Sequence, residues 1–182
     1  MVNDAASKYI LTRSTVEDDS ALFSTHVEIV PYGGNQRLKE LVTQSSQFER
    51  QVKEALTAVH SPFRRARIKT ELALRRSAMA GIVIDAVAET STVDFVIEIR
   101  NTQRPSGLLD AVTQAIRAAS TYSAFLAERG RAKPVVPVLI LPVASGERKW
   151  PSRKDGALII SFNPSTSKFV GTEVLDSFEE DS

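Results

Sequence analysis

Two acidic side chains stand in otherwise apolar runs near the middle of the chain. Asp85 lies inside the run from 81 to 89, and Glu98 lies inside the run from 93 to 101, two residues before Arg100. Acids in apolar strands cost free energy unless they are solvated, paired with a cation or bound to a metal. Two carboxylates on neighbouring strands can bind a divalent cation such as Mg²⁺. The spacing therefore indicates either a metal site or an ion-pair ladder on a solvated sheet face.

The strand period decides which side chains can act together. Side chains alternate along a strand. One face of the run from 93 to 101 therefore carries Asp94, Val96, Glu98 and Arg100, and the other carries Phe95, Ile97 and Ile99. Asp94 is therefore a rival to Asp85 for the place of the first acid. The short link between the two runs predicts an antiparallel hairpin.

The elements around this hairpin predict an α/β domain that borders on the α+β class. Apolar spacing and turn residues predict a strand at 21–30, helices at 38–60, 61–80 and 106–129, a strand buried on both faces at 133–142, and a last hairpin formed by 157–162 and 168–171. Only two strands fall between the second and third helices. We expect a flexible acidic segment at 1–19, one domain at 20–172 and an acidic tail at 173–182.

This order of elements and acids resembles the PD-(D/E)xK nuclease superfamily. The resemblance implies a restriction-endonuclease-like core, with a mixed β-sheet flanked by helices and the order α-β-β-β-α-β. It also implies a metal-dependent nuclease that hydrolyses phosphodiesters of DNA or RNA with Mg²⁺ or Mn²⁺. Carried over position by position, it makes Asp85 and Glu98 the metal ligands, Arg100 the residue at the lysine position, Gln114 the helical glutamine and Glu71 the helical acid.

Arg100 is a departure from the motif that opens a second interpretation. A guanidinium stays protonated, so it can clamp a phosphate but is a poor activator of water. The alternative is a catalytically silent restriction-endonuclease-like module that binds nucleic acid or an acidic protein partner. Gln114 and Glu71 also have simpler interpretations, as a surface glutamine and as a helical salt-bridge partner.

The charge of the chain is segregated along its length. The net charge is +1, but residues 1–19 carry −2 and residues 173–182 carry −5, which leaves +8 for the body. A basic body favours polyanionic partners. The candidate nucleic-acid-binding residues lie in the predicted second helix and are Arg64, Arg65, Arg67, Lys69, Arg75 and Arg76.

Composition excludes several other classes of protein. The chain has no cysteine, its two histidines lack a metal-binding spacing, and it has no apolar run of about 18 or more residues. No secretory signal pattern is present at its start. We therefore expect a soluble cytoplasmic protein without membrane contact, and the amphipathic helix at 38–60 suggests a homodimer or a larger complex.

Overall fold

The computed structural model describes residues 9–16, 22–29, 36–63, 65–74, 82–144 and 149–178, with side chains described from residue 43 onward. Its helices and strands are β1 (Tyr9–Val16), β2 (Leu22–Ile29), α1 (Gln36–Thr57), β3 (Arg67–Leu74), β4 (Ile82–Glu89), β5 (Asp94–Ile99), α2 (Leu108–Ala127), β6 (Val135–Pro142), β7 (Arg153–Lys154), β8 (Ala157–Asn163) and β9 (Lys168–Val170). A 3₁₀ turn, Pro105–Gly107, precedes α2, and a 3₁₀ helix, Thr172–Phe178, follows β9.

All nine strands of the described residues form one mixed sheet. Its order is β1-β2-β3-β4-β5-β6-β8-β7, with β9 also paired to β8. The successive pairs from β1 to β5 are antiparallel. The pairs β5–β6 and β6–β8 are parallel. The predicted mixed sheet flanked by helices is confirmed, and from α1 to β6 the elements follow the α-β-β-β-α-β order of the restriction-endonuclease-like core.

The helices cover opposite faces of this sheet. Helix α1 buries Phe48, Val52 and Leu56, which recur every four residues and pack with the 3₁₀ helix on one face. Helix α2 packs on the other face through Tyr122, Phe125 and several alanines, whose short side chains let the helix approach the strands. The apolar stripe of α1 from 48 to 56 is thus used within the chain, which removes it as the dimer surface that the sequence suggested.

The predicted helix at 61–80 is wrong, because residues 67–74 form the strand β3. Its sequence is rich in Arg, Ala and Leu, which favour helices, but it pairs with β2 on one side and β4 on the other. Pairing on both sides supplies ladder hydrogen bonds and burial that outweigh the local preference. Ser61 also caps no helix, because the described residues that directly follow it are not helical. Its Oγ accepts a hydrogen bond from the backbone N–H of Phe63 at 3.3 Å and so closes a local turn.

The two ends of the chain are also more regular than predicted. Tyr9–Val16 forms β1 within the segment predicted to be irregular, paired with the strand at 22–29 that the sequence did predict. At the other end the predicted tail begins with the 3₁₀ helix, in which Leu175 is buried and Phe178 packs edge-on against Phe95 with ring centroids 5.5 Å apart. Residues 1–8 and 179–182 lie outside the described residues.

The parallel half of the sheet is closed by a tight turn and a tryptophan. Asp155 and Gly156 both have positive φ, 50° and 89°, and link β7 to β8 as a two-residue hairpin loop. Trp150 packs against the α2 side of the sheet, and its Nε1–H donates to the carbonyl of Pro142 at 2.9 Å. In the described ranges, neither α1 nor α2 has the length and apolar composition that a membrane crossing requires.

Candidate functional site

The candidate site lies where β4 and β5 stop pairing. The paired part of these strands ends at Ala86 and Ile97. The next residue on each strand is an acid, Asp85 on β4 and Glu98 on β5. In place of a ladder hydrogen bond, Asp85 Oδ2 accepts the backbone N–H of Ile99 at 2.8 Å. The two acids predicted from the sequence therefore lie at the same fork between two strands.

The neighbouring strand is irregular at the same level. The β3–β4 ladder skips the position at which Glu71 would face Asp85, and Glu71 has a φ of 55°. On β4, Ile84 and Val87 join the same apolar cluster, although strict alternation would put them on opposite faces. A non-glycine residue with positive φ costs on the order of 1 kcal/mol and persists only where its surroundings hold it. Asp85 thus sits at a break in the regular sheet.

Arg100 connects both acids to helix α2. Its Nη2 lies 2.7 Å from Glu98 Oε2, and its Nη1 lies 3.9 Å from Asp85 Oδ2. Gln114 Oε1 accepts hydrogen bonds from Arg100 Nε, at 3.0 Å, and from Nη2, and the Ile99 carbonyl accepts one from Nη1 at 3.3 Å. The guanidinium therefore lies between the two carboxylates and the glutamine. The structure brings together these four of the predicted site residues.

Helix α1 contributes a second cation to the site. Lys53 Nζ donates to Glu49 Oε1 at 2.5 Å and to Glu71 Oε1 at 3.3 Å. Burial lowers the pKa of Lys53, but its hydrogen bond with Glu49 and the charges of Glu49, Asp85 and Glu71 outweigh burial and raise it. Lys53 is therefore protonated at neutral pH. Its partner Glu71 reaches the site from the strand β3, whereas the sequence predicted it on a helix.

Glu49 and Lys53 were not predicted from the sequence. Their four-residue spacing is that of an ordinary helical ion pair, which is common on exposed helix faces. The signal that could have found them is position, because they directly follow Phe48 and Val52, two residues of the buried stripe of α1. Side chains next to such a stripe lie at the edge of the covered sheet face and can reach into it.

Burial and crowding of negative charge raise the pKa of both predicted ligands. The pKa of Glu98 rises to about 7, because burial and the charge of Asp85 outweigh the opposing effect of Arg100. The pKa of Asp85 rises to about 6, again through burial first and then through the charge of Glu49. Arg100 and Lys53 thus compensate the acids only in part.

The donor set fits a divalent cation held by two carboxylates. The cluster contains four acids, Glu49, Glu71, Asp85 and Glu98, against the two cations of Lys53 and Arg100. Within it, Asp85 and Glu98 are the acids whose pKa values are raised, and a divalent ion beside both would relieve the repulsion between them. In the described ranges no group of three or more potential ligand side chains is close enough to hold an ion. An ion held by Asp85 and Glu98 would therefore have water in much of its coordination shell, and Mg²⁺ commonly keeps several waters.

Asp94 lies away from this site, at the other end of β5. It is 1% exposed and pairs with Lys133 Nζ at 2.7 Å, while the hydroxyl of Tyr122 donates to it at 3.1 Å. The same hydroxyl lies 3.2 Å from Glu89, and burial together with the charges of Asp94 and Glu89 raises the pKa of Tyr122 well above its usual value. Asp94 is thus committed to a structural network, and Asp85 is the acid that lies beside Glu98 at the fork.

The predicted basic surface is only partly described. Arg64, Arg75 and Arg76 lie outside the described residues. Arg65 and Arg67 are exposed, in the loop before β3 and at its first residue, rather than on a helix. Lys69 is half-buried and pairs with Glu89 at 2.9 Å, so its charge is compensated. Arg65 and Arg67 are therefore the described members of this set that face solvent.

Comparison with known proteins finds similarity to solved structures. No protein-family model matches the chain, and no curated protein does. An XisH family protein from Nostoc punctiforme PCC 73102 is 14% identical, with a TM-score of 0.42, over 68% of this chain and 95% of that chain. The small subunit of the heterodimeric restriction endonuclease R.BspD6I is 13% identical, with a TM-score of 0.40, over 70% of each chain. Likenesses at this level transfer no function, which has to come from the chemistry of the site.

Proposed function

We propose that the protein is a metal-dependent nuclease that hydrolyses phosphodiesters of DNA or RNA at the fork between β4 and β5. The observation that carries the proposal is the pair of carboxylates Asp85 and Glu98, which lie at one fork of the sheet beside the same guanidinium and whose pKa values are both raised by burial. Largely buried acids with raised pKa values and specific charged neighbours are typical of functional sites.

Each side chain has a role that follows from its position. Asp85 and Glu98 would hold Mg²⁺ or Mn²⁺, which supplies a polarised water and neutralises charge on the phosphate. Arg100 is partly exposed and has donors left over from its bonds to Gln114, so it can bind a phosphate oxygen. Lys53 remains protonated and offsets the acids from the α1 side.

Substrate contact outside the site is assigned to the basic residues next to β3. Arg65 and Arg67 are exposed and can bind the nucleic-acid backbone without regard to sequence. This assignment predicts binding that is sensitive to salt, since each phosphate contact releases bound counterions.

The test is a cleavage assay with Mg²⁺ or Mn²⁺ on the wild type, Glu98→Gln and Glu54→Gln. Glu98→Gln keeps the shape of the side chain and removes its charge, so we expect a loss of activity of at least about 100-fold, as for other groups that stabilise transition-state charge. Glu54 is an exposed acid on α1, so its variant should cleave like the wild type. Equal activity in all three proteins, or none in the wild type, contradicts the proposal.

The contact between Arg100 and Glu98 favours a second candidate, a catalytically silent module that binds nucleic acid or an acidic protein. A cation already pairs with one of the two carboxylates, as expected where a metal no longer binds. This candidate predicts that wild type and Glu98→Gln bind nucleic acid equally and that neither cleaves it. The same proteins therefore distinguish the two functions.

A further inference from the structure

We propose that Arg100 is a resident cation that competes with the divalent ion for Asp85 and Glu98, so that metal binding requires its guanidinium to move away. The proposal rests on the metal site proposed above and concerns how that site is loaded. It assigns Arg100 a role before the reaction, in addition to any contact with the phosphate.

The position of the guanidinium carries the inference. One of its nitrogens lies 2.7 Å from Glu98 Oε2 and another 3.9 Å from Asp85 Oδ2, so the positive charge sits beside both oxygens that would bind the ion. Glu98 Oε2 has no aligned hydrogen-bond donor, so its contact with Arg100 is an ion pair without hydrogen-bond geometry. A divalent ion that binds this oxygen must replace that ion pair, because two cations repel each other at such distances.

The structure also provides a place for Arg100 to go. Its Nε donates to Gln114, on α2, and its side chain is 39% exposed. These features let the guanidinium move from Glu98 toward α2 and solvent without losing every partner. Lys53 offers a contrast, since its side chain is only 15% exposed and its amine is held by Glu49 and Glu71 rather than by the two ligand acids.

Competition of this kind reduces the apparent metal affinity by the fraction of molecules in which the carboxylates are available. If the guanidinium occupies its place beside Glu98 in about nine molecules out of ten, its removal tightens metal binding about tenfold. The same movement would place the guanidinium where a phosphate can bind it. Arg100 would then set the concentration of divalent ion at which the site becomes occupied.

The experiment is calorimetric titration of Mn²⁺ into the full chain, for the wild type, Arg100→Met, Arg100→Lys and Lys53→Met. Methionine has a similar length but neither charge nor donors, so we expect Arg100→Met to bind Mn²⁺ about tenfold more tightly than the wild type. Lysine keeps the charge but lacks the planar fork that joins Glu98 to Gln114, so Arg100→Lys should fall between them. Circular dichroism and thermal melting establish that each variant folds. If Arg100→Met does not fold, the comparison of Arg100→Lys with the wild type tests the proposal.

Lys53→Met is the matched control, because it removes the other positive charge of the cluster and leaves every contact of Arg100 in place. An equal gain in Mn²⁺ affinity for Lys53→Met and Arg100→Met would show that charge alone matters and would overturn the proposal. Unchanged or weaker binding by Arg100→Met overturns it too, as does the absence of Mn²⁺ binding in every protein. Cleavage by the wild type, measured in parallel, shows in each case whether the proposed nuclease function survives.

Discussion

Glu98 is buried beside a second carboxylate, and that placement moves its pKa into the neutral range. A carboxylate in this condition binds either a proton or a metal ion more readily than an exposed one does. Arg100 carries one positive charge beside both Glu98 and Asp85, and Lys53 is held by Glu49 and Glu71. The unusual property of the site is thus the burial of two neighbouring carboxylates rather than any single residue.

The raised pKa of Glu98 predicts how the stability of the metal-free protein depends on pH. The pKa of Glu98 is about 7 in the folded protein and 4.5 ordinarily. The native state therefore holds its proton more tightly than the unfolded state, and the contribution of Glu98 to stability falls as pH rises from about 4.5 to about 7. Glu98→Gln never ionises, so its stability relative to the wild type should increase over this range, by up to about 3 kcal/mol.

Urea unfolding with a chelator present, at pH values of about 5 and about 8, measures this difference. Glu54→Gln serves as the control, since an exposed acid should show no such trend. A Glu98→Gln effect that is independent of pH would mean that the folded protein does not hold Glu98 protonated.

At the scale of elements, β5 carries two different polar sites at its two ends. Glu98, at the end near α1 and the Gln114 turn of α2, belongs to the open fork. Asp94, at the other end, ties the strand to Tyr122 of α2 and to Lys133. The first site holds two carboxylates with raised pKa values, whereas at the second Asp94 and Glu89 each pair with a lysine, so chemistry is expected at one end and structural stability at the other.

Asp94→Asn tests this division. The change leaves Lys133 without its closest counter-charge and should lower the free energy of unfolding by about 2 kcal/mol, a typical value for a hydrogen bond to a charged group. Mn²⁺ affinity should stay unchanged, because the proposed metal ligands are Asp85 and Glu98. Asp110→Asn, at an exposed position in the first turn of α2, should cost less than about 1 kcal/mol. Loss of Mn²⁺ binding with full stability in Asp94→Asn would return Asp94 to the metal site.

The elements also show how far local sequence patterns reach. The β4–β5 hairpin, α1, α2 and β6 were predictable, because alternation, helical spacing and a continuous apolar run each have one simple interpretation. Strand β3 was not, because its residues favour a helix and only the strands on both sides of it make it extended. The same error placed Glu71 on a helix, and it hid Glu49 and Lys53, whose relevance depends on where α1 crosses the sheet.

At the scale of the molecule, the proposed site and the two arginines assigned to substrate contact occupy separate places. Arg67 pairs in register with Glu89, near the β4–β5 turn, whereas Glu71 and Asp85 lie four residues further along each strand, in the middle of the β3–β4 ladder. Arg65 precedes Arg67 in the loop. A polyanion that reaches the acidic site would therefore be held by positive charge at a distance from it, which favours contact along an extended backbone.

The double variant Arg65→Gln, Arg67→Gln should weaken binding of nucleic acid of any sequence. The slope of log affinity against log salt should become less steep by roughly 2, about one for each phosphate contact removed. Fluorescence anisotropy over a range of salt concentrations measures this slope. Arg131→Gln is the control, because this exposed cation follows α2 and lies outside the proposed contact. An unchanged slope in the double variant would remove these two arginines from the interface.

Trp150 gives the protein an intrinsic optical probe. It is the single tryptophan of the chain, and its indole packs against the apolar cluster that joins α2 to β6 and β8 while hydrogen-bonded to the end of β6. Tryptophan emission depends on the polarity around the ring, so the unlabelled chain reports the packing of α2, the helix that carries Gln114, on the sheet. Loosening of this face of the sheet can thus be followed by spectroscopy in solution, without a dye and without any change to the residues of the fork.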